Sequence, residues 1–351
     1  MTELAFDPNG LASTDNIFGL PFTPEQAQIV LIPVPWEVTV SYRAGTAAGP
    51  AAILQASRQV DLFEPLLSDA WKIGLSMLDL PENLLLMNEL ARGKAEAYIS
   101  MLEQGADKQD KDMARLLKEI DQACQTMNSW VEETAAHWLE KGKIACLVGG
   151  DHSTPLGLFK ALAKKHGEFG ILHFDAHADL RDAYEGFEFS HASIMFNALK
   201  INELKKLVQV GIRDYCQDEY ELIAGSNGRI TTYFDRDLKA RLYSGENYSE
   251  ICQMVVNHLP EKFYVSFDVD GLDPKLCPNT GTPVPGGLEM EQALYMVQLA
   301  VQSGKTMIGF DVNEVAPGPD QDDEWDANVG ARLLYRLANL TALSNKLKPI
   351  V

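Results

Sequence analysis

No apolar run in this chain is long enough to span a bilayer. The N-terminus, MTELAFDPNG, carries no basic stretch leading into an apolar core, so no secretory signal is visible and a cytoplasmic protein is expected. Positive charge is scarce, with 30 Lys and Arg against 50 Asp and Glu and a formal net charge of −20. That balance repels a phosphate backbone or an anionic membrane, which argues against nucleic-acid and membrane-surface roles and suits a small cationic partner. Cysteine is sparse too: Cys124, Cys146, Cys216, Cys252 and Cys277 are scattered, odd in number and never arranged as CxxC. Neither a disulfide framework nor a thiolate zinc site fits that pattern. Internal repeats, low-complexity segments and interdomain linkers are absent as well.

What is present is the composition of a soluble globular chain, 46% hydrophobic and 23% charged over 351 residues. Short apolar runs at 29–34, 71–76, 144–148, 170–175, 207–211, 229–233, 262–267 and 306–311 read as strands buried on both faces. Helical patterns fill the gaps at 49–57, 83–104, 113–141, 155–166, 247–258, 288–303 and 325–345. Repeated βα units predict an α/β fold, a three-layer single domain with an eight-stranded, mainly parallel sheet. Residues 1–28 read as an N-terminal extension lying on a catalytic domain of residues 29–351.

The most informative stretch is Gly170–Ser193, GILHFDAHADLRDAYEGFEFSHAS. Residues two apart in extended chain point to one side, so Asp175, His177 and Asp179 converge as the chain leaves its strand. Carboxylates and an imidazole aimed at one spot need a cation among them, and a divalent metal is the common solution. Alone, this segment reads equally well as a polar turn whose acids cap the next helix. Two further strand ends change that balance. Gly149-Gly150-Asp151-His152-Ser153 follows one apolar run, and Ser266-Phe267-Asp268-Val269-Asp270 ends another with acids on alternate positions. His152, Asp175, His177, Asp179, Asp268 and Asp270 then stand at the carboxyl ends of three strands.

With GGDHS, DAHAD and SFDVDGLDP in this order, the chain resembles the ureohydrolase family of arginase, agmatinase, guanidinobutyrase and formimidoylglutamase from about Ile29 to the C-terminus. GTPVPGG at 281–287 and GFDVNEVAP at 309–317 match family segments as well. The resemblance implies an arginase/deacetylase-like fold and a binuclear manganese centre. One ion would take His152, Asp175, Asp179 and Asp268, and the other His177, Asp175, Asp268 and Asp270, with Asp175 and Asp268 bridging. Carboxylates with one imidazole per ion suit manganese, and nickel or iron accept the same donors. Two ions ~3.5–4 Å apart lower the pKa of a water held between them toward ~7, which a poor electrophile such as guanidinium requires. The family match further implies that Asp179 directs that water, that Glu314 pairs with the guanidinium and that His191, in Ser190-His191-Ala192-Ser193, carries a proton to the departing amine. An ordinary imidazole pKa near ~6.5 suits that task. Homo-trimers or homo-hexamers are implied in the same way.

The leading expectation is hydrolysis of a guanidino compound to an amine plus urea, with agmatine favoured. The loop 180–190 is acidic and aromatic and lacks the Asn/Ser-rich character with which arginases hold an α-amino acid. Asp182, Glu185 or Glu188 are candidates to receive a distal ammonium, while Phe187 and Phe189 would equally close a small pocket around free guanidine. Guanidinobutyrate, formiminoglutamate and arginine are further alternatives. A single-zinc amide deacetylase on a related fold is the alternative of another class, and the paired Asp268 and Asp270 argue against it. His173, deeper in its strand, reads as a buried hydrogen-bonded core histidine, and His137, His166 and His258 as solvated or structural. Trp36 and Tyr42 read as packing residues, and Thr282 as orienting a neighbour.

Overall fold

A computed structural model of the chain describes residues 6–12, 14–107, 110–320 and 323–351. The start of the expected N-terminal extension (1–5) and Ser13 lie outside the described residues, as do 108 and 109 in the hydrophilic break between two expected helices. Eight strands form one sheet: β1 (Ile29–Val34), β2 (Leu75–Met77), β3 (Ile144–Gly149), β4 (Phe169–Phe174), β5 (Leu204–Ile212), β6 (Ile230–Phe234), β7 (Lys262–Asp268) and β8 (Thr306–Asn313). Their order is β2-β1-β3-β8-β7-β4-β5-β6. Every pairing is parallel, so the sheet is wholly rather than mainly parallel.

The apolar strand sequences supply both faces because successive side chains alternate. Cys146 and Val148 of β3 join one core, and Ala145 and Leu147 the other. Phe263, Val265 and Phe267 of β7 likewise oppose Tyr264. Helices α1 (Gly49–Ala56), α8 (Tyr248–Asn257), α9 (Met290–Gln302) and α10 (Trp325–Ser344) cover the first face. The second is covered by α2 (Glu82–Glu103), α3 (Lys111–Glu140) and α4 (Leu156–His166). The polar tract before β3 forms helices because it carries one apolar stripe. Ile120, Cys124, Met127, Val131 and Ala135 of α3 are buried at spacings of three and four. Asp110 caps this helix by accepting a hydrogen bond from the Asp112 amide at 2.8 Å. Short helices α5 (Ile194–Ala198), α6 (Gln217–Gly225) and α7 (Asp235–Tyr243) occupy segments for which the sequence shows no clear period. No helix among the described residues is long and apolar enough to cross a membrane.

One expected strand is displaced. Residues 70–73 form a 3-10 turn, and β2 begins only after Gly74, whose φ of 81° ends the turn. Trp71 therefore leaves the sheet and packs on Phe6, with ring centroids 4.8 Å apart.

The end of β3 fixes how close the first loop approaches the sheet. Gly150 donates its amide to Val34 O, and Asp151 donates to Trp36 O at 2.7 Å. A Cβ on Gly150 would lie 2.0 Å from Trp36 O, a backbone atom that cannot swing aside. Gly150→Ala is therefore expected to destabilise the fold by about 1–3 kcal/mol. Gly93, exposed on α2 with nothing within 4 Å of a Cβ, gives the opposite sign, and Gly93→Ala is expected to gain about 0.5–1 kcal/mol. Urea denaturation of both variants checks the contrast, and equal midpoints would contradict it.

Candidate metal centre and active site

The carboxyl ends of the four central strands, where parallel α/β sheets bind ligands, gather most of the ionisable groups singled out above. After β3, Asp151 Oδ1 accepts hydrogen bonds from the Ser153 amide and hydroxyl, a tight turn that presents His152 between them. His152 Nδ1 then faces Asp175 Oδ2 at 3.0 Å and Asp179 Oδ2 and Asp268 Oδ2 at 3.3 Å each. On the far side of the ring, Nε2 lies 2.9 Å from Ser266 Oγ, whose hydroxyl donates to Asp311 Oδ1 at 3.1 Å. Because Ser266 spends its proton on Asp311, its oxygen accepts from His152 Nε2–H. That leaves Nδ1 as the atom turned to the carboxylates.

A second cluster shares Asp175. His177 Nδ1 is 3.0 Å from Asp270 Oδ2 and 3.4 Å from Asp175 Oδ1. Asp270 is oriented by the Ala176 amide, which donates to its Oδ1 at 3.0 Å, and by Thr282 Oγ1 at 3.4 Å from its Oδ2. Asp268 Oδ1 caps the turn that follows β7 by accepting from the Asp270 amide at 2.9 Å. Asp175, Asp179, Asp268 and Asp270 are all at most 5% exposed. Desolvation, with the charge of Asp175, pushes Asp179 up to about 7, and desolvation with Asp270 and Asp175 lifts Asp268 well above the carboxylate range. Burial disfavours a charged His152, yet hydrogen bonds to Asp175, Asp179 and Asp268 outweigh it and hold the ring's pKa well above its ordinary value. The acids outnumber the imidazoles, so the site is built for added positive charge.

Two of these residues stand on unusual backbone. Asp179 and Glu314 have φ of 55° and 64°, the left-handed region that non-glycine residues adopt at a cost. Both are held by neighbours. Asp179 O accepts from the Met195 and Phe196 amides, while Glu314 N donates to Gly150 O and Glu314 O accepts from Thr280 Oγ1. Glu314 Oε1 accepts from the His152 amide at 2.9 Å, and Oε2 lies toward Gly281.

Above the clusters opens a cavity of about 210 Å³ whose wall includes His177, Asp179 and His191. Its outer wall is made by Tyr42, Tyr184, Tyr215 and Asp214 and by an Arg181–Glu219 ion pair at 3.2 Å. Asp214 is brought there by β5, whose continuation pairs with His177 in an isolated bridge. The sequence reading passed over Asp214, although its position just past a predicted strand end was the available signal. Arg213 was passed over as well. Its guanidinium donates to the carbonyls of Asp270, Leu272 and Val284 and ties the segment after β7 to β5.

The expected substrate-loop acids fall elsewhere. Asp182 and Glu185 line a neighbouring surface cleft, and exposed Glu188 lines another beside Asp121, to whose carboxylate its amide donates. Phe187 is fully buried against Tyr98, with centroids 5.2 Å apart, so it closes no pocket around a guanidinium. Tyr42 is not a packing residue but stands 70% exposed on the cavity wall, whereas Trp36 is buried as expected. His173 is buried beside Asp175, and Thr282 orients Asp270.

A parallel sheet that collects two imidazoles and four carboxylates from its strand ends beneath an open cavity defines a divalent-metal hydrolase site of the arginase fold. The Arginase family profile matches residues 27–339, and the chain belongs to the arginase family. The N(1)-aminopropylagmatine ureohydrolase of Thermus thermophilus is 31% identical over 93% of this chain and 95% of its own. The agmatinase of Bacillus subtilis is 28% identical over 89% and 91%. Among solved structures, the agmatine ureohydrolase of Thermoplasma volcanium superposes with a TM-score of 0.72 at 23% identity, covering 95% of this chain and 96% of that one. The arginase of Medicago truncatula superposes with a TM-score of 0.64 at 26% identity over 90% and 88%. The chain is a hydrolase acting on carbon–nitrogen bonds of linear amidines.

His191 sits at the start of a 3-10 turn capped by Ser190, its ring half-buried with Nδ1 sealed from solvent and without a hydrogen-bond partner among the described residues. Desolvation first, then the charges of His177 and His152, lowers its pKa. Histidine NMR of the metal-free protein is expected to show His191 titrating below the ordinary ~6.5. A midpoint at or above that value would place the ring in water.

Proposed function

We propose that this enzyme is a binuclear manganese agmatinase, releasing urea and leaving a diamine. One observation carries the two-metal reading: Asp175 turns Oδ2 toward His152 and Oδ1 toward His177, so one carboxylate serves two imidazole clusters. The donor set fits hard divalent ions, since it consists of imidazole and carboxylate with no thiolate. His152, Asp175, Asp179 and Asp268 would hold one ion, and His177, Asp175, Asp268 and Asp270 the other. Nickel or iron would be held by the same atoms. When bound, the ions supply the Lewis acidity that makes water a nucleophile at neutral pH.

The protein's own groups do the rest. Asp179, held at the cavity floor by its strained backbone, accepts a hydrogen bond from the attacking water and sets its direction. Glu314 offers the guanidinium a carboxylate whose other oxygen is anchored by the His152 amide. His191, neutral and facing the cavity, takes up a proton during attack and returns it to the departing amine. For the distal ammonium, Asp214 replaces Asp182, Glu185 and Glu188, because it alone of the four lies on the cavity wall and Arg181 already neutralises Glu219. Three tyrosines beside it suit a cation on an alkyl chain. The names of the relatives agree with agmatine or a longer aminopropyl derivative. Homo-trimers or homo-hexamers in the cytoplasm complete the proposal.

Metal analysis after dialysis is expected to give near two ions per chain for the wild type and loss of both in Asp175→Ala. One tightly held zinc per chain would point to the deacetylase alternative. His191→Asn is expected to keep its metal and lose about a hundredfold or more in turnover. Asp214→Asn is expected to lower kcat/KM for agmatine about fivefold, the scale of ~1 kcal/mol for an exposed ion pair, and to leave guanidine hydrolysis unchanged. Urea release from both substrates measures this. A wild type that hydrolyses guanidine but ignores agmatine would overturn the substrate assignment.

A further inference from the structure

His173 is the third imidazole at the centre and the one without an assigned role. Its ring is fully buried, with Nε2 2.8 Å from Asp175 Oδ2 and its own donor-acceptor geometry close enough to join His152, Asp175 and Asp179 as a possible ligand group. Its other nitrogen decides the matter. Gln209 Nε2 lies 2.7 Å from Ala178 O, and a carbonyl only accepts, so the NH2 of the Gln209 amide must face that way. The Gln209 Oε1 correspondingly accepts from Thr232 Oγ1 at 2.8 Å. The same NH2 is 3.1 Å from His173 Nδ1, which is therefore an acceptor and carries no proton. The proton of a neutral His173 then sits on Nε2 and is donated to Asp175 Oδ2.

We propose that His173 is a positioning residue for Asp175 and not a metal ligand: the chain Thr232–Gln209–His173 fixes its tautomer, and its Nε2–H orients the shared carboxylate. Both ring nitrogens are engaged, one as acceptor and one as donor, so neither lone pair is left for an ion. Asp175 receives one orienting hydrogen bond on each oxygen, from His173 Nε2 on Oδ2 and from the His177 amide on Oδ1 at 2.6 Å. Each carboxylate oxygen has two lone-pair directions, so one on each remains for a metal. Partners of this kind fix ligand orientation, and their loss weakens metal binding about tenfold to a hundredfold.

The inference rests on the metal reading given above, and two measurements separate their failures. In the metal-free wild type, nitrogen NMR of labelled histidine is expected to report His173 as the Nε2–H tautomer, and an Nδ1–H tautomer would overturn the proposal. Manganese affinity, measured by competition with a fluorescent chelator, is expected to fall about tenfold to a hundredfold in His173→Phe. His173→Gln, which keeps an N–H donor, is expected to recover most of that loss. Unchanged affinity in His173→Phe would overturn the positioning role while leaving the metal centre intact. In protein loaded with cadmium-113, metal–nitrogen coupling is expected at His152 and His177, and coupling to His173 would make it a ligand. A wild type that takes up no metal would overturn the metal reading and this inference with it.

Discussion

Asp175 has no exposed surface, and three imidazoles and a backbone amide converge on its two oxygens. A carboxylate in that position is stable only while every direction around it is answered by positive charge or a donor. The order of the sheet meets that demand. β4 delivers Asp175 and His177, β3 delivers His152, β7 delivers Asp268 and Asp270, and β8 runs between β3 and β7 to place Asp311 behind Ser266. Close approach of backbone is part of this arrangement. A Cβ at Gly271 would come within 2.6 Å of the Asp175 amide, so the turn after β7 reaches Asp175 only as glycine.

The α2–α3 pair holds the cavity walls rather than the His/Asp clusters. Arg92 of α2 donates to the carbonyls of Glu37, Val38 and Val40, and Asn88 accepts from the Glu37 amide at 2.8 Å, which ties down the loop carrying Tyr42. The loop 180–190 is pinned by the same helices. Tyr98 donates to Glu185 O at 3.3 Å and packs its ring at a tilt against Phe187, and Asp121 accepts from the Glu188 amide. Burial pushes Asp121 up to about 6, so this anchor is a weakly acidic group under the loop that leads to His191.

The floor of the site was legible because its residues obey local rules. Buried parallel strands are continuous apolar runs, and acids and imidazoles on alternate positions at their ends share a direction. Those rules pointed to the ends of β3, β4 and β7, where the structure brings His152, Asp175, His177, Asp179, Asp268 and Asp270 together, but not by alternation in extended chain: Asp179 has a φ of 55° and Asp270 lies in the 3-10 turn 269–271. The edge strand at 71–76 was misplaced because a three-residue strand carries almost no periodic signal and Gly74 turns the chain just before it.

The walls were not legible, for a different reason. In the loop 180–190 left-handed residues at Ala183, Glu185 and Gly186 reverse the chain within a few positions, so charge in the sequence says nothing of direction in space. Asp182 and Glu188 turn outward while Phe187 is drawn onto Tyr98 by burial worth about 2–3 kcal/mol. The negative wall comes instead from Asp214, thirty-five residues beyond Asp179 in sequence, because β5 lies beside β4 and ends level with His177. The two His/Asp clusters thus come from the strand ends that the apolar runs mark, whereas the cavity wall depends on which neighbouring strand ends at the same height. Only the first of these is a property of a local stretch of chain, which is why the clusters can be read from the sequence while the wall opposite them emerges only when β5 is laid beside β4.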